Sequence, residues 1–195
     1  MTKHNETGMK ITGFCYVRNI VRRLSGGNEM GLFDFLKKKD TAADNKGMIG
    51  SPLKGTCVEL SQVNDPTFSS GLLGSGVAVI PVDGKICAPA DGTVNIIFPT
   101  GHAVAMTTKE GVELLIHFGL DTVKLEGKHF NIVGTVGAEV KKGDLLVEAD
   151  VEAIKAEGYD VITPVLVSNT DAFAAVEGFA GKEVNLGDAI IKVTK

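Results

Sequence analysis

The chain has 195 residues, 44% of them apolar, and a net charge of −4; it suits one ordinary domain with tails and excludes wholesale disorder. Its 24 glycines, lack of tryptophan and 6% aromatic content favour tight turns and aliphatic strands over long helices. Residues 1–39 carry eight Lys/Arg against three acids, leaving 12 basic and 21 acidic residues for the rest; a basic tail on an acidic body argues against a nucleic-acid-binding domain.

Residues 1–29 are polar and basic. Ser25-Gly26-Gly27-Asn28-Glu29 can be encoded by a purine-rich run containing GGAGG, as a ribosome-binding site read in frame would be, so Met30 is the expected native start and residues 1–29 a non-native or disordered extension. In residues 30–39, Leu32, Phe33, Phe35 and Leu36 can form one apolar stripe ahead of three lysines, a segment able to touch a membrane interface peripherally. A polar linker closes the 30–47 segment. No apolar run approaches the roughly 20 residues of a membrane span. The start lacks a secretory signal, and three cysteines without metal spacing read as reduced thiols, so a cytoplasmic protein is expected.

Residues 48–195 read as one all-β domain, an antiparallel sandwich or barrel. Strands are expected at 55–60, 77–81, 85–88, 92–98, 103–107, 112–118, 145–149, 161–167 and 189–193. Short helical turns are expected at 150–157, stopped by Gly158, and at 171–177. Two internal echoes suggest two related halves. Ser51–Val58 resembles Ala88–Asn95 through Pro-x-x-Gly-Thr, and Val140–Val147 resembles Val184–Ile191 through a Gly-Asp turn. In such a turn Gly can supply a positive φ and Asp can close on the backbone.

Two of the four histidines, His102 and His117, flank Thr108-Lys-Glu-Gly111, which reads as a hairpin turn. If the turn is centred on Lys109-Glu110, the two face each other on paired strands and address one small ligand; a one-residue bulge would spoil that pairing. A period of two sends Ile116 and Phe118 to the core and Leu115, His117 and Gly119 to the other side. Gly119 is expected to leave room beside the ring for another backbone or protein to approach. Nearby polar residues are Thr100, Asp121 and Thr122.

Two imidazoles are half of a tetrahedral zinc set, and no Cys or His nearby in sequence completes it. Hydrolysis would need a nucleophile elbow of Gly-x-Ser-x-Gly type, which is missing. A neutral imidazole can instead take a phosphoryl group on one nitrogen while the other donates to a carbonyl. The second histidine could steady the phosphoryl oxygens, or either ring could simply be a packed polar residue. The chain also lacks the exposed hairpin lysine of a lipoyl or biotinyl carrier and the His-x-His and His-x-x-x-Asp of a zinc peptidase on a related fold.

Gly111-Val-Glu-Leu-Leu-Ile-His117-Phe-Gly-Leu-Asp-Thr-Val123 resembles the phosphorylation-site signature of the glucose-class enzyme IIA of the bacterial phosphoenolpyruvate-dependent sugar phosphotransferase system. The resemblance runs over nearly all of 48–195. It includes Ala88–Thr93, Thr100-Gly-His102, Thr163–Asn169 and Gly187-Asp, and Met30–Leu36 resembles the start of free-standing members. It implies an antiparallel β-sandwich of two related halves and a phosphocarrier, likewise a phosphotransferase component. His117 would accept phosphate from phospho-HPr and pass it to a cysteine of a permease IIB domain. His102 would assist, oriented by Thr100. Asp65 and Asp121 would form an acidic rim and Phe68, Phe98 and Val123 an apolar ring toward partners, beside Gly119. Gly101 and Val104 stand where some members have Asn and Phe, which would alter partner fit rather than chemistry. No cofactor is required. In some members the two histidines and a partner's carboxylate hold zinc at a regulatory interface, which makes His102 and His117 the candidate metal ligands. A monomer is implied. The alternative role is a non-enzymatic regulator that binds permeases or kinases through the same face. His4 and His129 match no role and are expected at the surface.

Overall fold

A computed structural model describes residues 46–195; the expectations for 1–29 and for the amphipathic stripe and lysines of 30–39 lie outside the described residues. The strands, in chain order, are β1 (Met48–Gly50), β2 (Gly55–Glu59), β3 (Ser75–Pro81), β4 (Lys85–Cys87), β5 (Gly92–Ile97), β6 (Ala103–Thr108) and β7 (Glu113–His117). They continue with β8 (Phe130–Ile132), β9 (Glu139–Val140), β10 (Leu145–Ala149), β11 (Thr163–Val167), β12 (Ala175–Gly178), β13 (Lys182–Val184) and β14 (Ala189–Thr194). Among the described residues, two short helices, α1 (Pro66–Ser69) and α2 (Val151–Ala156), and three 3-10 turns complete the regular elements.

Every strand pair is antiparallel. The large sheet runs β13-β2-β3-β11-β7-β6-β5-β9, and two three-stranded sheets run β1-β14-β12 and β4-β10-β8. The main core lies between them, with Val77, Val79, Leu114, Ile116, Val165 and Val167 from the large sheet, and Phe118 just after β7, meeting Ile86, Leu146, Val147, Ile190 and Ile191. Alternate residues of the same strands point outward. Val58, Ala78 and Leu166 form a second, smaller cluster with Leu60, Val63, Phe68 and Ile162, and Leu115 packs against it. The period of two thus divides β7 as the sequence suggests.

The internal echoes correspond to a repeated pattern of bonds. Ser51 N donates to Asp188 O and Ala88 N to Asp144 O, both at 2.8 Å. Gly187 N donates back to Ser51 O and Gly143 N to Ala88 O. The halves also exchange equivalent bonds, Gly50 N to Pro89 O and Cys87 N to Pro52 O, both at 2.9 Å. The strand registers repeat as well, with Val184 opposite Gly55 and Val140 opposite Gly92. In each Gly-Asp turn the glycine has positive φ, and the carboxylate accepts the backbone N–H three residues earlier, Lys141 to Asp144 and Asn185 to Asp188.

Several elements differ from the sequence reading. The helical turn expected at 171–177 is a 3-10 turn (Thr170–Ala172) followed by β12. Edge pairing with β14 takes residues whose local preference is ambiguous. The short strands β1, β8, β9, β12 and β13 carry too few residues to show a period. α1 was hidden for the same reason, although Asp65-Pro66 is a capped start with Pro at the first position. α2 fulfils the expectation for 150–157, with Asp150 as cap.

Candidate functional site

The site begins with the β6–β7 hairpin. The pairs run from Ala103↔His117 to Thr107↔Glu113, and Thr108 N bonds Val112 O. The loop is therefore Lys109-Glu110-Gly111, three residues long, with Gly111 at φ 84°, the usual left-handed position of such a loop. The direct opposition expected for His102 and His117 is not the observed register, because His117 faces Ala103. On a regular strand that one-residue offset would send His102 to the opposite face. It does not, because β6 begins only at Ala103 and the chain bends at Gly101 (φ 69°) and His102. The two rings meet at a centroid distance of 5.0 Å, nearly edge to face at 76°.

His117 Nδ1 lies 2.8 Å from Gly119 O. A carbonyl only accepts, so Nδ1 holds the proton and Nε2 keeps its lone pair. Burial pushes the His117 pKa down; the Gly119 carbonyl and the charges of Asp65 and Asp121 resist that shift. The ring is partly exposed and rests 4.9 Å from the Phe68 ring.

His102 is deeper, 6% exposed. Its Nδ1 is 2.5 Å from Thr100 Oγ1, and its ring is 5.3 Å from Phe98. Burial first, and His117 second, pull its pKa down to about 4. Both rings are neutral at pH 7. The pair offers one free imidazole lone pair in an apolar surround with a second neutral ring beside it, which is the equipment of a nitrogen nucleophile.

The structure brings His117, His102, Thr100, Phe68, Phe98 and Gly119 into one constellation. Asp65 belongs through α1: its side chain caps that helix at Thr67 N, 2.8 Å away, and α1 carries Phe68. Asp121 adopts φ 59° and pairs with Lys124 at 2.7 Å. Val123, 48% exposed, follows it in the 3-10 turn Thr122–Leu125 and contacts neither ring in the bonds and stacks described. At Gly119 the approach is that of another backbone segment. A Cβ there would meet Asp160 O and Thr122 Cγ2, each at 2.6 Å, and φ is 71°. The glycine admits the chain's own backbone at Asp160. His129 bonds Glu157 at 2.9 Å and lies apart from the pair's contacts.

Two features escaped the sequence reading. Leu72, in the turn after α1, is 71% exposed; its setting between Gly71 and Gly74 was the available signal. The carbonyl of Asp160 accepts from Leu120 N at 2.8 Å and supports the turn after His117; no residue pattern announces a backbone acceptor from so distant a segment.

The family described as phosphoenolpyruvate-dependent sugar phosphotransferase system, EIIA 1, matches residues 47–173. The chain is 45% identical over 155 residues to a "PTS system beta-glucoside-specific EIIBCA component" of Halalkalibacterium halodurans, a match over 80% of this chain and 24% of that protein. It is 39% identical over 169 residues to a "PTS system glucose-specific EIIA component" of Haemophilus influenzae, covering 85% of this chain and 99% of that one. Among solved structures, the glucose permease IIA from Mycoplasma capricolum superposes with a TM-score of 0.67 at 34% identity, over 74% of this chain and 93% of that one. The chain thus spans about a quarter of the length of its multidomain β-glucoside relative and nearly all of its free-standing relative. The long match, the β-sandwich and the paired histidines agree, and the chain belongs to the EIIA 1 family of the phosphoenolpyruvate-dependent sugar phosphotransferase system.

Proposed function

We propose that this chain is a histidine phosphocarrier in sugar uptake, with residues 48–195 as the working domain. The observation that carries the reading is the bond from His117 Nδ1 to Gly119 O, which leaves Nε2 unprotonated. In the first step Nε2 attacks the phosphorus of a phosphohistidine donor, HPr. The new N–P bond forms as the donor's N–P bond breaks, and the donor ring keeps the electron pair. In the second step a permease IIB cysteine, its thiol proton lost to solvent, takes the phosphorus on sulfur, and Nε2 regains its lone pair. The fused IIB, IIC and IIA segments named in the relatives favour a IIB domain as acceptor.

His102 is the assisting group. With the Thr100 hydroxyl donating to Nδ1, its Nε2 carries the proton and can bond the phosphoryl oxygens. The apolar rings of Phe68 and Phe98 beside the pair keep water from the labile N–P bond. Phe68, Phe98, Asp65, Asp121 and Val123 are the proposed partner contacts. Zinc would find only two imidazoles here, and no group of three or more potential ligands occurs among the described residues; a regulatory zinc would need donors from a partner.

The test is reconstitution with phosphoenolpyruvate, the two general proteins, this chain and a panel of IIBC permeases, which also identifies the sugar. His117→Gln is expected to abolish phosphate uptake. Retained uptake would exclude His117 as the nucleophile.

A further inference from the structure

We infer that Thr122 is a positioning residue for the phosphoryl-accepting ring, an inference that rests on His117 as the nucleophile. Thr122 is fully buried, and its hydroxyl donates to Phe118 O at 2.5 Å. Phe118 is the hub between the two histidines. It follows His117 in sequence, and its own N–H donates to His102 O at 2.7 Å. The next carbonyl along the chain, Gly119 O, is the acceptor that fixes the His117 tautomer.

The turn from 118 to 122 is an unfavourable one to hold. Gly119 and Asp121 both sit at positive φ, 71° and 59°, and the second is not a glycine. Such a turn keeps its shape only if neighbours over-determine it. Thr122 does so twice. Its hydroxyl pins the Phe118 carbonyl, and its Cγ2 lies 2.6 Å from where a Gly119 Cβ would stand, closing the space around that residue. Asp160 O holds the other side through Leu120 N. Loss of the hydroxyl leaves the buried Phe118 carbonyl without its donor, frees the 118–119 peptide to rotate, and leaves the next peptide, which carries Gly119 O, held only through Leu120 N and Asp160 O. The Gly119 carbonyl then leaves Nδ1, the proton redistributes between the two nitrogens, and the fraction of His117 with a free Nε2 falls.

Two substitutions separate the hydroxyl from the shape: Thr122→Val keeps the branched outline and removes the donor, and Thr122→Ser keeps the donor and removes the methyl. Imidazole nitrogen shifts of the unphosphorylated full-length chain read the His117 tautomer, and phosphate uptake from phospho-HPr reads the chemistry. Thr122→Val is expected to move a substantial fraction of His117 to the Nε2–H form and to slow uptake about tenfold. Thr122→Ser is expected to keep the wild-type tautomer and uptake within about twofold. A folded Thr122→Val with unchanged tautomer and rate would overturn the assignment. Should Thr122→Val fail to fold, Thr122→Ala, which also removes the donor, decides in its place: an unchanged tautomer and rate there would overturn the assignment, and a shifted tautomer would support it. The tautomer is measured without any phosphodonor. A shifted tautomer in a protein whose wild type takes no phosphate would therefore sink the phosphocarrier reading and leave the positioning role standing.

Discussion

The neutrality of His102 is a property with consequences for both stability and transfer. Its pKa is about 4 in the fold against 6.5 for the free side chain. As pH falls below 6.5 the unfolded chain takes up the proton first, so stability declines between about pH 6.5 and pH 4 and the effect ends below that range. The loss from this ring is at most about 3 kcal/mol. His117, also shifted downward, acts in the same sense. Urea unfolding at pH 7 and pH 5 should show a clear loss in the wild type and a smaller one in His102→Gln; parallel behaviour would mean that burial does not hold the ring neutral. In transfer, His102→Gln should still load phosphate on His117 but deliver it about 100-fold more slowly, as expected for removing one donor to a developing charge. Delivery at the wild-type rate would remove His102 from the mechanism.

At the level of elements, α1 links charge to packing. Asp65 caps the helix, and the helix brings Phe68 onto His117. The two contributions of Asp65 can be separated. Asp65→Asn keeps a good cap and deletes the charge, so stability should hold while the His117 pKa falls further, because the Asp65 charge raises it. Asp65→Ala deletes both and should cost an additional 1 kcal/mol or so in urea unfolding. If the Asn variant leaves the His117 titration in place, the carboxylate is not felt at the ring. The hairpin carries a different lesson. Its existence and its strands were legible from Thr108-Lys-Glu-Gly111, but its register was not. An even turn centred between Lys109 and Glu110 and a three-residue loop ending in a left-handed Gly111 fit the same letters. The choice between them depends on how β7 pairs with β11 on its other side, Val165 opposite Ile116 and Val167 opposite Leu114.

Over the whole molecule, duplication explains how so glycine-rich a chain forms a two-layer core. Each half contributes a Gly-Asp turn, and the halves exchange equivalent backbone bonds, Gly50 to Pro89 and Cys87 to Pro52. Cys57 and Cys87 are free, buried and sunk into this framework. Burial raises the Cys57 thiol to about 11 and also raises that of Cys87. Both should resist a thiol reagent at pH 8 in the native chain and react at once in denaturant. Rapid native labelling of either would mean that the framework opens locally at low cost. No helix among the described residues is long and apolar enough to cross a membrane.

The amino-acid sequence alone determined the all-β class, the repeated Gly-Asp turns and the two histidines with their apolar flanks, because strand period, turn chemistry and side-chain type are local properties. It also determined the family, through an uninterrupted run of residues around His117. The tertiary structure decided what the sequence left open. It brought the rings together through a bend at Gly101 instead of strand opposition, left His102 less exposed than His117, and set Gly119 O as the acceptor for His117 Nδ1. Each of those outcomes depends on atoms from distant segments, the Asp160 carbonyl and the Phe130 side chain among them, whose arrival in space leaves no trace in the local pattern of residues.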